Sequence, residues 1–427
     1  MWILALVVMV VLLLAGFPLL VPLTAAALVL LLTQSGAPDG ALLVQQMVGG
    51  VKPAVLTAVP MFILAADLMT RGHTAERLLD LVMRFVGHVR GGLAITTAVS
   101  CTLFGAVSGS TQATVVAMGS ALRPKLLERG YPDSFALALI INASDIALLI
   151  PPSIGMIVYG VVSGTSVGEL FIAGIGPGLM VLALFSLYCR LAAGRYGIAP
   201  LPRADARARL RAVARAVLPM GFPLIIIGGI YSGVFSPTEA AAMSVAYAFV
   251  LEVIVFRSVR LGDLPDVALS TGVITTVVFV LVAAGAAFSW TVSFARLPEL
   301  LLGDALAAAA ADPTLLLVVI AASYFVGCMF VDPIVVILIL TPIFAPAVRE
   351  SGLDPVLVGT LVTLQAAIGS ATPPFGCDIF TAMAIFRRPY VEVIRGTPPF
   401  LAMLVLATAL LIAFPGIALY LRDLAFR

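Results

Sequence analysis

The sequence predicts an all-α polytopic membrane protein, arranged as an inverted-topology repeat with two re-entrant helical hairpins and two discontinuous helices. Three observations predict this. The chain of 427 residues is 62% hydrophobic and only 11% charged, with a mean hydropathy of +1.16, values outside the range of soluble domains. It repeats itself at a fixed offset of 222 residues. Each copy carries a Pro-Pro pair at the centre of a stretch otherwise long enough to cross a bilayer.

Apolar runs of bilayer-spanning length recur from Trp2 to Leu421, and their continuity favours helices over the short alternating segments of a β-barrel. The N-terminal run, residues 1–33, has no basic leader and no small-residue cleavage pattern. It reads as a retained span, one long helix kinked at Gly16 and Pro18 or two short ones. Cys101, Cys189, Cys328 and Cys377 are scattered, and His73 and His88 have no cluster around them; disulfide frameworks, zinc sites and redox motifs are unsupported. The two lysines, Lys52 and Lys125, do not follow glycine, which excludes a Walker A loop and with it a built-in ATP motor. No H-E-x-x-H and no intramembrane histidine pair occurs, so the chain is not expected to be an enzyme.

Seven arginines against Asp205 alone, between Arg190 and Arg215, mark a cytoplasmic loop at 190–216. Its ARARLRAVARA portion has helical spacing and suits a solvated or headgroup-lying helix better than nucleic-acid binding. HTAERLLDLVMRFVGHVRGG, residues 73–92, reads as an interfacial scaffold helix.

The repeat is the most informative feature. Without a gap, Gly105 falls on Gly327, Pro124 on Pro346, Glu128 on Glu350, Gly130 on Gly352, Pro151-Pro152 on Pro373-Pro374, Gly174 on Gly396 and Pro177 on Pro399. Arg123, Lys125 and Arg129 in the first copy correspond to Arg349 alone in the second, whereas Arg387 and Arg388 replace Thr165 and Ser166. Basic loops stay inside, so matching loops lie on opposite faces. Scaffold helices are expected over 1–90 and 217–312. Transport halves are expected over 91–189, with a hairpin at 95–122 and a broken helix at 132–162, and over 313–427, with a hairpin at 315–344, a broken helix at 354–386 and a C-terminal helix.

A broken helix frees carbonyl oxygens on its first half and N–H groups on its second. The oxygens suit a cation such as Na⁺, and the N–H groups suit a carboxylate. Ser370 and Thr372 precede the second Pro-Pro; Asn142, Ser144 and Asp145 precede the first, and Ser153 follows it. Ser108, Gly109, Ser110, Thr111 and Gln112 form the first hairpin tip, and Asp332 stands at the second. An acid inside a membrane costs ~2.5–3.5 kcal/mol on insertion scales, so Asp145 and Asp332 are functional candidates. The plain structural alternative is that each caps a half-helix, and that the hydroxyls only let helices pack closely.

GAVSGSTQATVVAMGSALRP (105–124), IPPSIGMIVYG (150–160), GCMFVDPIVVILILTPIFAP (327–346) and GSATPPFG (369–376) together resemble the large, DctM-like membrane subunit of tripartite ATP-independent periplasmic (TRAP) transporters, over essentially the whole chain. The resemblance implies the elevator-type ion-transporter superfamily, in which a mobile transport domain slides against a scaffold. It implies a multi-pass location in the bacterial or archaeal cytoplasmic (inner) membrane, Na⁺ as coupling ion and an organic acid as substrate. Two partners are implied as well: a small four-helix, DctQ-like membrane subunit and a DctP-like periplasmic binding protein.

The implied Na⁺ ligands are Ser108, Gly109, Ser110, Thr111, Asn142, Asp145, Gly327, Asp332, Gly369, Ser370 and Thr372, and the implied substrate contacts are Ser108, Ser110, Ser153 and Asp332. Asp145 and the aliphatics after it stand where the family commonly has small and hydroxyl residues. The runner-up reading is a stand-alone Na⁺- or H⁺-coupled dicarboxylate carrier; a membrane-embedded enzyme or assembly subunit would need an intramembrane catalytic pair, and none is visible. No arginine stands at either break to announce a dicarboxylate.

Overall fold

A computed structural model describes residues 2–33, 40–296 and 312–426. In chain order the helices are α1 (Trp2–Leu14), α2 (Leu20–Leu32), α3 (Ala41–Gly50), α4 (Ala58–Arg71), α5 (Thr74–Val86), α6 (Gly92–Ser108), α7 (Thr111–Glu128), α8 (Asp133–Asp145), α9 (Ile154–Ser163) and α10 (Val167–Arg195). They continue with α11 (Ala206–Tyr231), α12 (Pro237–Phe249), α13 (Leu264–Phe294), α14 (Pro313–Phe330), α15 (Pro333–Glu350), α16 (Pro355–Ser370), α17 (Cys377–Phe386), α18 (Tyr390–Ile394), α19 (Pro398–Ala413) and α20 (Gly416–Ala425). Among the described residues there is no strand, and seven helices are long and apolar enough to cross a membrane. Residues 34–39 and 297–311, parts of the expected scaffold spans 1–90 and 217–312, lie outside the described residues.

The expected hairpins and breaks form where the sequence places them. Gly109, at φ +61°, ends α6 in the left-handed region, which glycine reaches without a Cβ clash. Ser110 then starts α7 by accepting from the N–H of Ala113 at 3.3 Å. At the register-equivalent position of the second copy, Asp332 starts α15 by accepting from the N–H of Ile334 at 2.9 Å. By length and composition α14 and α15 could each cross the bilayer, but their tight turn at Val331–Asp332 and their packing against each other make them hairpin arms. The first break runs from a 3₁₀ turn at Ile146–Leu148 through Pro151-Pro152 to Ser153, whose hydroxyl accepts from the N–H of Met156 to begin α9. The second runs from Ala371 to Gly376.

Ion pairs fix the relative direction of the two copies. Asp133, at the start of the first broken helix, holds Arg123 in a two-pronged pair at 2.7 and 2.6 Å. It also holds Arg388, just past the end of the second broken helix, at 3.0 Å. At the other end, Ser163 to Ser166 share a cleft of about 540 Å³ with Gly352 to Val356, where Arg422 pairs with Asp354 at 2.7 Å and Glu169 at 3.5 Å. The start of each broken helix therefore lies beside the end of the other. This is the inverted arrangement that the loop charges predict.

Each copy also reaches into the other: α7 packs on α17, and α15 packs on α9. The helices α2, α3, α4, α12 and α13 form a separate packed group, joined to the repeats through α4 on α6 and α13 on α15.

One open alternative is resolved and one local expectation differs. The N-terminal run is two helices, α1 and α2, packed on each other with Gly16 at φ +78° between them. The arginine-rich stretch 190–216 is not one loop: Arg190 and Arg195 complete α10, residues 196–205 connect, and ARARLRAVARA opens α11, capped by Asp205. Nothing terminates that helix before its apolar continuation. The basic residues are therefore the solvated end of a spanning helix rather than a separate surface helix.

Gly369 shows how tightly the breaks are held. A Cβ there would lie 2.2 Å from the Cβ of Cys328, whereas one on exposed Gly272 would meet nothing within 4 Å. Gly369→Ala should lower the melting temperature of the purified subunit by several degrees, a loss of about 1–3 kcal/mol. Gly272→Ala should leave it unchanged or slightly raised. Equal melting of the two variants would contradict the packing described.

Candidate functional site

The hydroxyls and acids at the breaks converge from four segments. Asp145 ends α8 and Asp378 lies in the first turn of α17. Their side chains are 1% and 0% exposed. The Ser370 hydroxyl, at the end of α16, donates to Asp145 Oδ1 at 2.7 Å. The Thr111 hydroxyl, at the first hairpin tip, donates to Asp378 Oδ1 at 3.0 Å. These two bonds link residues far apart in sequence and join the first copy to the second. The two carboxyls are close enough to interact with each other. The Oδ2 atom of each, and the Oδ1 atom of Asn142 one turn before Asp145, are buried without a hydrogen-bond partner.

Around this centre the other expected residues take simpler positions. Ser108 shares a bond with Thr114 at 3.0 Å and donates to the carbonyl of Ser110 at 3.2 Å, which closes the first tip. Thr372 donates to the carbonyl of Ile368 at 2.5 Å, and Asn142 donates to the carbonyl of Ala138 at 2.8 Å. Ser153 and Asp332 act as helix caps. Gly369 packs against the backbone of Cys328, beside Gly327 in the second hairpin. Thus Ser370 with Asp145 and Thr111 with Asp378 form two hydrogen-bonded pairs, each bridging the two copies. Asn142, Ser153 and Asp332 are not hydrogen-bonded into either.

Asp378 is the residue that sequence reasoning missed. The signal was present: an acid inside CDIFTAMAIF meets the same criterion that singled out Asp145 and Asp332. A second missed acid, Glu252, is 0% exposed but plays another part. It accepts from the Thr74 hydroxyl at 2.5 Å and from the Ser258 hydroxyl, and it fills the space that a side chain on Gly72 would occupy. That contact fastens α5 to the end of the α12 segment.

What the centre offers a ligand is oxygen, and nearly all of it as acceptors. Segments 105–112, 144–156, 327–336 and 367–380 contain Asp145, Asp332 and Asp378 and no Lys, Arg or His. Oxygen donors of this kind fit a hard cation. Among the described residues no group of three His, Cys, Asp or Glu side chains could hold a metal ion, so a transition-metal centre has no support.

Two interlocked inverted repeats, with paired breaks buried at their contact, have the construction of a membrane transport protein. The chain belongs to the DctM component of the tripartite ATP-independent periplasmic transporters, whose family model matches residues 6–417. It is 63% identical over 417 residues, 97% of each chain, to the ectoine TRAP transporter large permease protein TeaC of Halomonas elongata. It is 64% identical over 419 residues, 98% of each, to the ectoine/5-hydroxyectoine TRAP transporter large permease protein UehC of Ruegeria pomeroyi. The C4-dicarboxylate large permease protein DctM of Pseudomonas aeruginosa is 35% identical over 368 residues, 86% of each. Among solved structures, the YdaH transporter of Alcanivorax borkumensis aligns with a TM-score of 0.61 over 93% of this chain and 96% of that one at 17% identity, which shows a shared fold. The chain is therefore a large permease subunit of a TRAP transporter and not an enzyme. Its family works with a small membrane subunit and a periplasmic binding protein.

The centre predicts opposite effects for two of its substitutions. Ser370→Ala leaves Asp145 Oδ1 without its donor and should cost about 1–3 kcal/mol of stability. Asp378→Asn keeps an oxygen for Thr111 and gives Asp145 an amide donor in place of a facing acceptor. It should therefore melt no lower than wild type while uptake falls. Thermal melting of the purified variants checks both, and Asp378→Asn melting below Ser370→Ala would refute the arrangement.

Proposed function

We propose that this chain is the membrane channelling subunit of a Na⁺-driven uptake system for a small ectoine-type solute in the cytoplasmic membrane. A small four-helix subunit completes it, and a periplasmic binding protein delivers the substrate. Ectoine joins a carboxylate to a cyclic amidinium, so it is both an organic acid and a cation. The observation that carries the reading is the oxygen-rich, cation-free centre at the crossing of the two broken helices, built from Asp145, Ser370, Asp378 and Thr111. Identity of 63–64% over nearly the whole chain to two ectoine permeases supports the solute.

In this reading the hairpins and broken helices, over 91–189 and 313–427, form the unit that moves. The group containing α2, α3, α4, α12 and α13 forms the frame. Na⁺ takes oxygens near the tips and breaks, from Ser108, Gly109, Ser110, Thr111, Asn142, Asp145, Gly327, Asp332, Gly369, Ser370 and Thr372. The substrate carboxylate takes the N-terminal ends of α7 and α9 near Ser108, Ser110 and Ser153, where unpaired N–H groups and the helix dipole favour an anion.

The test is uptake of labelled ectoine into proteoliposomes holding this chain and its small subunit, with the binding protein outside. An inward Na⁺ gradient should raise the initial rate at least about tenfold over equal Na⁺ on both sides. Uptake indifferent to the gradient would remove Na⁺ coupling, and absence of ectoine uptake would remove the solute.

A further inference from the structure

A charged cavity of about 550 Å³ opens at the end of the molecule where Arg123 pairs with Asp133. Three helices supply its polar lining. Glu76, Arg77, Asp80 and Arg84 come from α5, Lys125 from the last turn of α7 and Arg215 from α11. The amphipathic spacing of α5 explains the arrangement. Leu78 and Val82 bury one face as the helix packs on α6 and α11, which leaves the charged face to the cavity.

Four arginine and lysine side chains stand against two carboxylates here, and they are not all neutralised internally. Asp80 pairs with Arg84 at 3.0 Å, and Arg77 lies over the Phe256 ring at 3.6 Å. Among the described residues Lys125, Arg215 and Glu76 have no ion-pair partner. Arg209, over the Phe85 ring where α11 meets α5, keeps two guanidinium nitrogens buried without a hydrogen-bond partner. The excess of positive charge at this junction calls for an anion.

Depth and side identify its source. Arg215 is the last basic residue of α11 before the apolar run to Tyr231, which sets the cavity at headgroup level. The arginines of 190–216 place that end in the cytoplasm. Leu218, one turn beyond Arg215 on the same helix face, is 42% exposed, and Val217 beside it is 57% exposed. An acyl chain leaving the cavity therefore has apolar surface to follow, which a soluble phosphate would not use. Arginine and lysine match phosphate oxygens. The cytoplasmic leaflet is rich in anionic lipids, and basic pockets between helices on that side hold their headgroups.

We propose that this cavity binds the headgroup of an anionic phospholipid of the phosphatidylglycerol type. Lys125 and Arg215 take the phosphodiester, Arg77 adds positive potential, and Glu76 accepts from a glycerol hydroxyl. Lys125 belongs to the first hairpin and Arg215 to α11, so the bound lipid ties the end of that hairpin to its neighbours and stabilises this arrangement.

The test uses the delipidated complex of this chain with its small subunit and follows melting temperature on addition of phosphatidylglycerol, phosphatidylethanolamine or glycerol phosphate. Phosphatidylglycerol should stabilise wild type, and the other two should not at equal concentration. Lys125→Gln combined with Arg215→Gln should raise the half-saturating phosphatidylglycerol concentration at least about fivefold. Arg203→Gln combined with Arg207→Gln removes the same charge outside the cavity and should keep the wild-type value. Lipid-free melting temperatures should agree, because none of the four side chains makes an ion pair. A Lys125/Arg215 variant that keeps wild-type half-saturation overturns the site, and so does an equal loss in the Arg203/Arg207 variant, which would mark a diffuse surface charge. Stabilisation by glycerol phosphate as strong as by the lipid overturns the lipid as occupant, and equal stabilisation by phosphatidylethanolamine overturns the selection for an anionic headgroup.

Discussion

A helix interrupted inside a membrane must have its backbone groups satisfied by the protein itself, because hydrocarbon supplies no partners and each unmet group costs several kcal/mol. The rest of this structure depends on that constraint. Among the described residues four interruptions surround the centre, two at hairpin tips and two at Pro-Pro breaks. Ser110, Ser153 and Asp332 start the following helices by accepting from backbone N–H groups. Thr372 returns its hydroxyl to the carbonyl of Ile368. Because the partners are short polar side chains, the interruptions must lie close together, and small residues such as Gly105 and Gly369 allow it.

The backbone follows the repeat more faithfully than the chemistry does. Ser110 and Asp332 occupy equivalent registers and do the same capping job with different charge. Asp145 corresponds to Ala367, Ser370 to Leu148 and Asp378 to Met156, so none of the central polar residues has a polar counterpart. The inverted symmetry brings the two breaks together, and the departures from symmetry decide what they hold. One acid from each copy meets at a single centre, whereas a strictly repeated sequence would have placed two equivalent centres.

The hairpins, the breaks and the inversion were legible because their determinants are local. Pro-Pro ends a helix whatever surrounds it, glycine permits the left-handed residue at a tip, and arginine counts set the side of a loop. The site was legible only in part. Asp145, Ser370 and Thr111 are visible as candidates, but their meeting is a product of packing between segments more than two hundred residues apart, and no spacing rule encodes it. Asp378 was missed because attention stopped at the prolines, although the energetic cost of an intramembrane acid applies to it equally. The arginine-rich stretch misled for a related reason. Its charges bear on the side of the membrane, but charge alone does not mark where one helix ends, and Ala206–Tyr231 runs on as one apolar helix.

Charge at the centre also gives a physical reason for coupling under the proposed mechanism. A moving unit that carries Asp145, Asp332 and Asp378 past an apolar frame would take uncompensated carboxylates through a low-dielectric region, which is costly unless they are paired. Cations bound at these oxygens lower that cost, and on the ectoine-type reading a zwitterion with its positive end towards the acids would lower it further. Under that proposal the unit would cross readily only with ions and substrate both bound, and desolvation alone would couple them. The same reasoning explains why no arginine stands at the breaks: a built-in counter-charge would neutralise the acids in the empty unit and let it cross without cargo.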